Sequence, residues 1–247
     1  MWDSLDLLQG FSVRHPSSGN SQLCGYAVST YHCPSAEEGP LESMALDSGS
    51  LGNGPATDYA PGQRADYVGI SGAYPDPAGR EGHTLNRGIA ANHGVFIFNE
   101  YRGMEHILDG TSNTFVIGEQ GAKINNEAVK NKFYYSSNYN GCWWGAAGSP
   151  TDQPNITLEA PAADLTGITA SGITTVRYQI NIKSITSRAV ISGGDTTGAA
   201  NTPFTSEHAG GVQFCSADGS VRFVSETVNF DSLKQMCTCD DGMATSL

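Results

Sequence analysis

The sequence predicts an α+β domain in which an antiparallel β-sheet carries long loops and few short helices. Three observations point there. Residues 208–226, HAGGVQFCSADGSVRFVSE, read as a β-hairpin. Val212, Phe214 and Ser216 alternate with Gln213 and Cys215; Asp218-Gly219 supplies a turn, and Val221, Phe223 and Ser225 alternate with Arg222 and Val224. The composition, with 30 glycines and only 15% charged residues, is that of a β-rich, loop-rich extracellular chain. Helical signals are confined to a short segment, Phe230 to Met236, and to the first 11 residues, where Trp2, Leu5 and Leu8 recur every three positions.

The elements follow in order. Residues 1–11 read as the stump of a helix trimmed from a longer protein. Residues 12–40 are polar and turn-rich, and Pro34 disfavours helix at Cys33. Residues 41–64 hold Gly49, Gly52, Gly54, Pro55, Pro61 and Gly62 among few large apolar side chains, which predicts an irregular surface loop. Short strands are expected at Asp66 to Gly72 and Gly94 to Asn99, with a loop from Pro75 to Asn92 between them. The DGTSN turn, Asp109 to Asn113, leads into a buried-type strand ending near Glu119. Residues 133–145 concentrate Tyr and Trp around an Asn-Gly turn, and 146–172 form a small-residue excursion. A strand is expected at Val176 to Ile182, then the hairpin, the short helix and an exposed Asp-rich tail. No linker divides the 247 residues, so 1–247 is expected to be a single head, with the hairpin and tail occupying 204–247.

Thirteen basic against 25 acidic side chains leave a net charge of −12, which repels phosphate backbones and anionic membrane surfaces. Nucleic acid is excluded as a partner on this ground. No stretch reaches the roughly 18 to 20 apolar residues that span a bilayer, and Asp3 and Asp6 interrupt any signal peptide, so the chain as it stands is expected to be soluble. Six cysteines, Cys24, Cys33, Cys142, Cys215, Cys237 and Cys239, form an even set that suits disulfides in an extracellular chain, Cys24 with Cys33 being the easiest local loop. Cys237-Thr238-Cys239 lacks the two-residue spacer and second ligand pair of a metal half-site.

Several segments taken together carry a family resemblance. They are His208 followed by nine residues and Asp218-Gly219; Asp109 to Thr114 with Gly118-Glu119; Cys33-Pro34-Ser35; Gly94-Val95-Phe96; and His208-Ala209-Gly210-Gly211. Read along the chain, from Cys33 to Asp218, these segments span most of it, and the chain resembles a planctomycete family of pseudopilin-like proteins, described as a domain of unknown function and also labelled a bacterial solute-binding-protein family. The resemblance implies a pilin-like head whose sheet normally packs on an N-terminal helix that is absent here. It makes His208, Asp218, Gly219, Asp109, Gly110, Asn113 and Glu119 a structural signature. Ala209 replaces the family's usual proline, and the Cys237-Cys239 tail departs from the pattern.

His208 has the chemistry of a base near neutral pH, and His208 with Asp218 is the enzymatic reading. The structural reading has His208 bonding backbone or a carboxylate, such as Glu119. It is preferred because no G-x-S-x-G elbow or H-E-x-x-H accompanies the histidine. Asp109 and Asn113 offer oxygen donors for a structural Ca²⁺, although an Asx-type turn explains the same residues and no cofactor is required. Tyr134, Tyr135, Tyr139, Trp143 and Trp144 are the candidate ligand-binding rings, suited to a glycan or small solute.

The expectation is therefore a non-enzymatic, pseudopilin-like structural protein of the cell surface, periplasm or secretion apparatus. Its partners would be other pilin-like subunits or copies of itself. The alternative is an extracellular carbohydrate- or solute-binding module using the aromatic run 133–144.

Overall fold

A computed structural model describes residues 25–46, 58–85, 88–98, 100–127, 130–134, 172–185 and 200–243. Its strands are β1 (Leu41–Leu46), β2 (Asp58–Gln63), β3 (Tyr67–Ala73), β4 (His83–Leu85), β5 (Gly88–Ala90), β6 (Phe115–Glu119), β7 (Lys123–Asn126), β8 (Asn131–Tyr134), β9 (Ile173–Val176), β10 (Ser184–Ile185), β11 (Gly211–Ser216) and β12 (Val221–Ser225). One α-helix, α1 (Phe230–Met236), follows them, and two 3-10 turns lie at Ser29–Tyr31 and Met104–His106. The class is α+β, as expected.

The central sheet has five strands in the order β12-β11-β6-β3-β9. It is mixed rather than wholly antiparallel, because β9 runs parallel to β3. The hairpin forms in the register Val212↔Val224 and Phe214↔Arg222. Its turn closes when Gly219, at a φ of 84°, donates to Ser216 and the Asp218 carboxylate accepts from the Ser220 backbone and hydroxyl.

One face of this sheet carries the core. Val212, Phe214 and Val224 from the hairpin meet Val68, Ile70 and Phe115, and α1 adds Leu233 and Met236. Phe214 stacks on Phe115 at 4.7 Å between centroids and meets Phe204 edge-on at 4.8 Å. Gly118 is required on this face, since a Cβ there would lie 2.4 Å from the Phe204 ring. The opposite face of β12 presents Val221, 67% exposed, and Phe223, 49% exposed.

Several segments differ from the sequence expectation. Residues 41–64 contain the β1/β2 ladder, paired antiparallel from Leu41↔Gln63 to Leu46↔Asp58, where an irregular loop was expected. Gly94 to Phe98 bends against β3 without forming a strand. The close approach explains it: a Cβ on Gly94 would meet the backbone of Ser71 and Gly72 at 2.4 Å. The strand expected at Val176 to Ile182 lies earlier, as β9, because the chain leaves the sheet at Arg177 and Asn181 takes a φ of 55°.

The C-terminal tail is docked rather than exposed. Cys237, Thr238 and Cys239 are buried, and Leu108 and Asp109 donate backbone N–H groups to the Cys239 carbonyl. The proposed helix over residues 1–11 lies outside the described residues. Among the described residues, no helix is long and apolar enough to cross a membrane.

Candidate functional site

Three distant segments deliver a thiol, a carboxylate and an imidazole to one point. Cys33 follows the first 3-10 turn, Glu119 ends β6, and His208 precedes β11. Their ligand-type atoms all lie within 4.8 Å of one another. Cys33 Sγ stands 3.6 Å from His208 Nε2, and Glu119 Oε1 stands 3.9 Å from the same nitrogen.

Local structure fixes each side chain. The buried Asp66 carboxylate accepts the Cys33 N–H at 2.8 Å, lies 2.8 Å from His32 Nδ1, and accepts from Arg64 Nη2 at 3.3 Å. Asp66 in turn donates its N–H to the Tyr31 carbonyl, so the loop bearing Cys33 is tied to the start of β3. Glu119 Oε2 accepts the Gln213 N–H at 3.3 Å, which binds the end of β6 to β11 through a side chain. His208 is held through its backbone: its N–H donates to Ser206 Oγ, and the Ser206 N–H donates to Asn181 Oδ1.

Cys33 and Glu119 are fully enclosed, whereas the His208 side chain is 34% exposed. Burial pushes the Cys33 thiol above its ordinary pKa, and the Glu119 carboxylate pushes it the same way. Burial likewise raises the phenol of the adjacent Tyr67, reinforced by Cys33, Glu119 and Asp66. Glu119 Oε1 is completely buried and, among the described residues, meets no donor outside the cluster, where the Cys33 thiol faces it. In a nucleophilic relay the acid orients one ring nitrogen while the nucleophile uses the other. Here thiol and carboxylate both address Nε2, and burial favours the protonated thiol. The arrangement instead has the form of a three-donor chelate.

The other sequence candidates separate. Asp218 and Gly219 lie beyond the far end of β11 from His208, and β11 alone spans about 17 Å at about 3.3 Å per residue. The pair His208 and Asp218 therefore does not make a joint site. The Asp109 carboxylate oxygens accept the N–H groups of Asp241 and Gly242, while Asn113 Nδ2 donates to the Asp109 carbonyl. Gly110, at a φ of 94°, completes that turn.

Tyr134 ends β8, and Tyr135, Tyr139, Trp143 and Trp144 lie outside the described residues. Cys24 and Cys142 also lie outside them. Disulfides were expected among the six cysteines, with Cys24–Cys33 the easiest local loop, but Cys33, Cys215, Cys237 and Cys239 are all free thiols. Cys33 Sγ lies 3.6 Å from His208 Nε2, and Cys239 Sγ accepts from Arg102 Nη1 at 3.2 Å.

Asp66, Tyr67 and His32 were missed as site residues. In sequence they are an ordinary polar residue before a strand, a strand tyrosine and a loop histidine; only the fold makes them neighbours of Cys33.

No curated protein and no solved structure matches the chain. A family match covers residues 4–231. Because this match takes in almost the whole chain, including Cys33, Glu119 and His208, the protein belongs to the family described as protein of unknown function (DUF1559), which also bears a bacterial solute-binding-protein label.

Proposed function

We propose that this chain is the head of a non-enzymatic, pseudopilin-like structural protein of the cell surface, periplasm or secretion apparatus, working through contacts with other subunits. The observation that carries the reading is the outer face of β12. This strand ends the central sheet, and its Val221 and Phe223 point away from the core at 67% and 49% exposure. Among the described residues nothing pairs with the outer edge of this strand, and an open edge beside exposed apolar side chains is a ready surface for another chain. Beside it lies a groove of about 530 Å³ lined by Phe223, Val224, Thr227, Val228 and Ser232.

The occupant this surface suits is a second pilin-like subunit. Sedimentation velocity over a concentration series tests it with the purified full chain. Self-association that Val221→Lys with Phe223→Lys abolishes is the expected outcome. A monomer at every concentration, or association indifferent to both changes, removes the self-association that this reading requires.

A further inference from the structure

We infer that Cys33, Glu119 and His208 form a three-ligand zinc-binding site, open to solvent at its fourth position, that clamps together the loop before β1, the end of β6 and the entrance to β11. The donor set is the first ground. A thiolate, an imidazole nitrogen and a carboxylate oxygen are the three protein ligand types of Zn²⁺, whereas the thiol disfavours hard cations such as Ca²⁺ and Mg²⁺. The metal–ligand distances of a tetrahedral zinc centre, about 2.0 to 2.3 Å, imply ligand-to-ligand edges of about 3.3 to 3.7 Å. Two of the three edges present are 3.6 Å, from Cys33 Sγ to His208 Nε2, and 3.9 Å, from His208 Nε2 to Glu119 Oε1, and the third, from Cys33 to Glu119, lies within 4.8 Å. A shift of a few tenths of an ångström brings the second into range.

The second ground is independent of the spacing. Glu119 Oε1 is buried, points at the cluster and, among the described residues, has no hydrogen-bond donor outside the cluster itself, where the Cys33 thiol faces it. Leaving a carboxylate oxygen in that state is costly, and a dication placed among the three side chains supplies what it lacks. With Cys33 as thiolate and Glu119 ionised, the two negative charges balance Zn²⁺. The fourth coordination position falls to solvent on the side where His208 is one-third exposed. On binding, the Cys33 thiol gives up its proton to solvent and its sulfur lone pair forms the Zn–S bond; no oxidation occurs.

Cobalt substitution tests the site in the full chain. The protein is stripped with a chelator, dialysed and titrated with Co²⁺ alone. The expected result is a near-ultraviolet thiolate-to-cobalt absorption that saturates at one equivalent and is bleached by Zn²⁺. Cys33→Ser eliminates the band, and Cys215→Ser leaves it intact. Glu119→Gln and His208→Gln, each checked for folding by circular dichroism, weaken Zn²⁺ binding at least about tenfold against a chromophoric chelator, since even residues behind the ligands have effects of that size.

A folded wild-type chain that gives no thiolate–cobalt band overturns the inference. So does a band that survives Cys33→Ser, or Zn²⁺ affinity unchanged in both glutamine variants. The wild-type titration decides the matter by itself should the Cys33 variant not fold.

Discussion

Asp66 shows how one carboxylate organises a neighbourhood. It is fully buried, and its oxygens meet Arg64, His32 and the Cys33 backbone while its own N–H and C=O join Tyr31 and Gln120. Asp66→Ala leaves the Arg64 guanidinium, 2% exposed, without this partner, and breaking such a buried pair costs about 3–5 kcal/mol. Urea unfolding of the variant measures that loss; a change below about 1 kcal/mol, the level of an exposed pair, contradicts the assignment.

His93 makes a second prediction. Burial, with Arg80 and Arg102 nearby, holds its pKa below the ordinary value despite Asp76 and Asp240, and its buried Nε2 has no hydrogen-bond partner. The unfolded chain therefore takes up this proton first. Stability is fully present above about pH 6.5 and declines as the pH falls from there toward the folded pKa. Urea midpoints on either side of that pH show the decline, and His93→Gln flattens it. None of this was visible in the sequence, where Asp66 and His93 are single polar residues flanked by unremarkable neighbours.

At the level of elements, legibility followed local chemistry. Helix α1 appears where its signals placed it, with Asn229 Oδ1 accepting the Asp231 and Ser232 N–H groups. Asn229→Ala removes that cap and lowers stability by about 1 kcal/mol, read as a shift in the denaturation midpoint. The hairpin was equally legible, because strict alternation and an Asp-Gly turn determine it without help from the rest of the chain. By contrast, β1 and β2 pair across an intervening segment between composition-poor strands that contain Pro61 and Gly62, so no local pattern announced them. The alternating residues after Val176 looked like a strand but follow one. The β-branched Thr174, Thr175 and Val176 occupy the sheet, where Ser71 Oγ bonds the Thr174 carbonyl and stands 2.8 Å from Thr175 Oγ1.

Across the whole molecule, the long-range ties converge on the chain's last described segment. Arg80 bridges Asp76 and Asp240, Asp109 holds the N–H groups of Asp241 and Gly242, and the Cys239 N–H donates to the His93 carbonyl. The sequence could not disclose this, since an acidic terminus ordinarily reads as a solvated tail. The candidate site was legible only in pieces: Cys33, Glu119 and His208 each stood in a recognisable motif, but their convergence depends on the central sheet bringing β6 beside β11.

The way α1 and its following segment close the core bears on how the protein is handled. The family match ends at residue 231, the second residue of α1 and ahead of Leu233 and Met236, both of which are buried in the main cluster. A recombinant fragment cut at that boundary strips the sheet of two large side chains, each worth about 2–5 kcal/mol when truncated to alanine. Residues 1–231 are accordingly expected to precipitate or bind a hydrophobic dye on expression, whereas the full chain stays in solution. The useful cloning boundary for this protein therefore lies beyond Gly242, the last residue before Met243 in the docked segment.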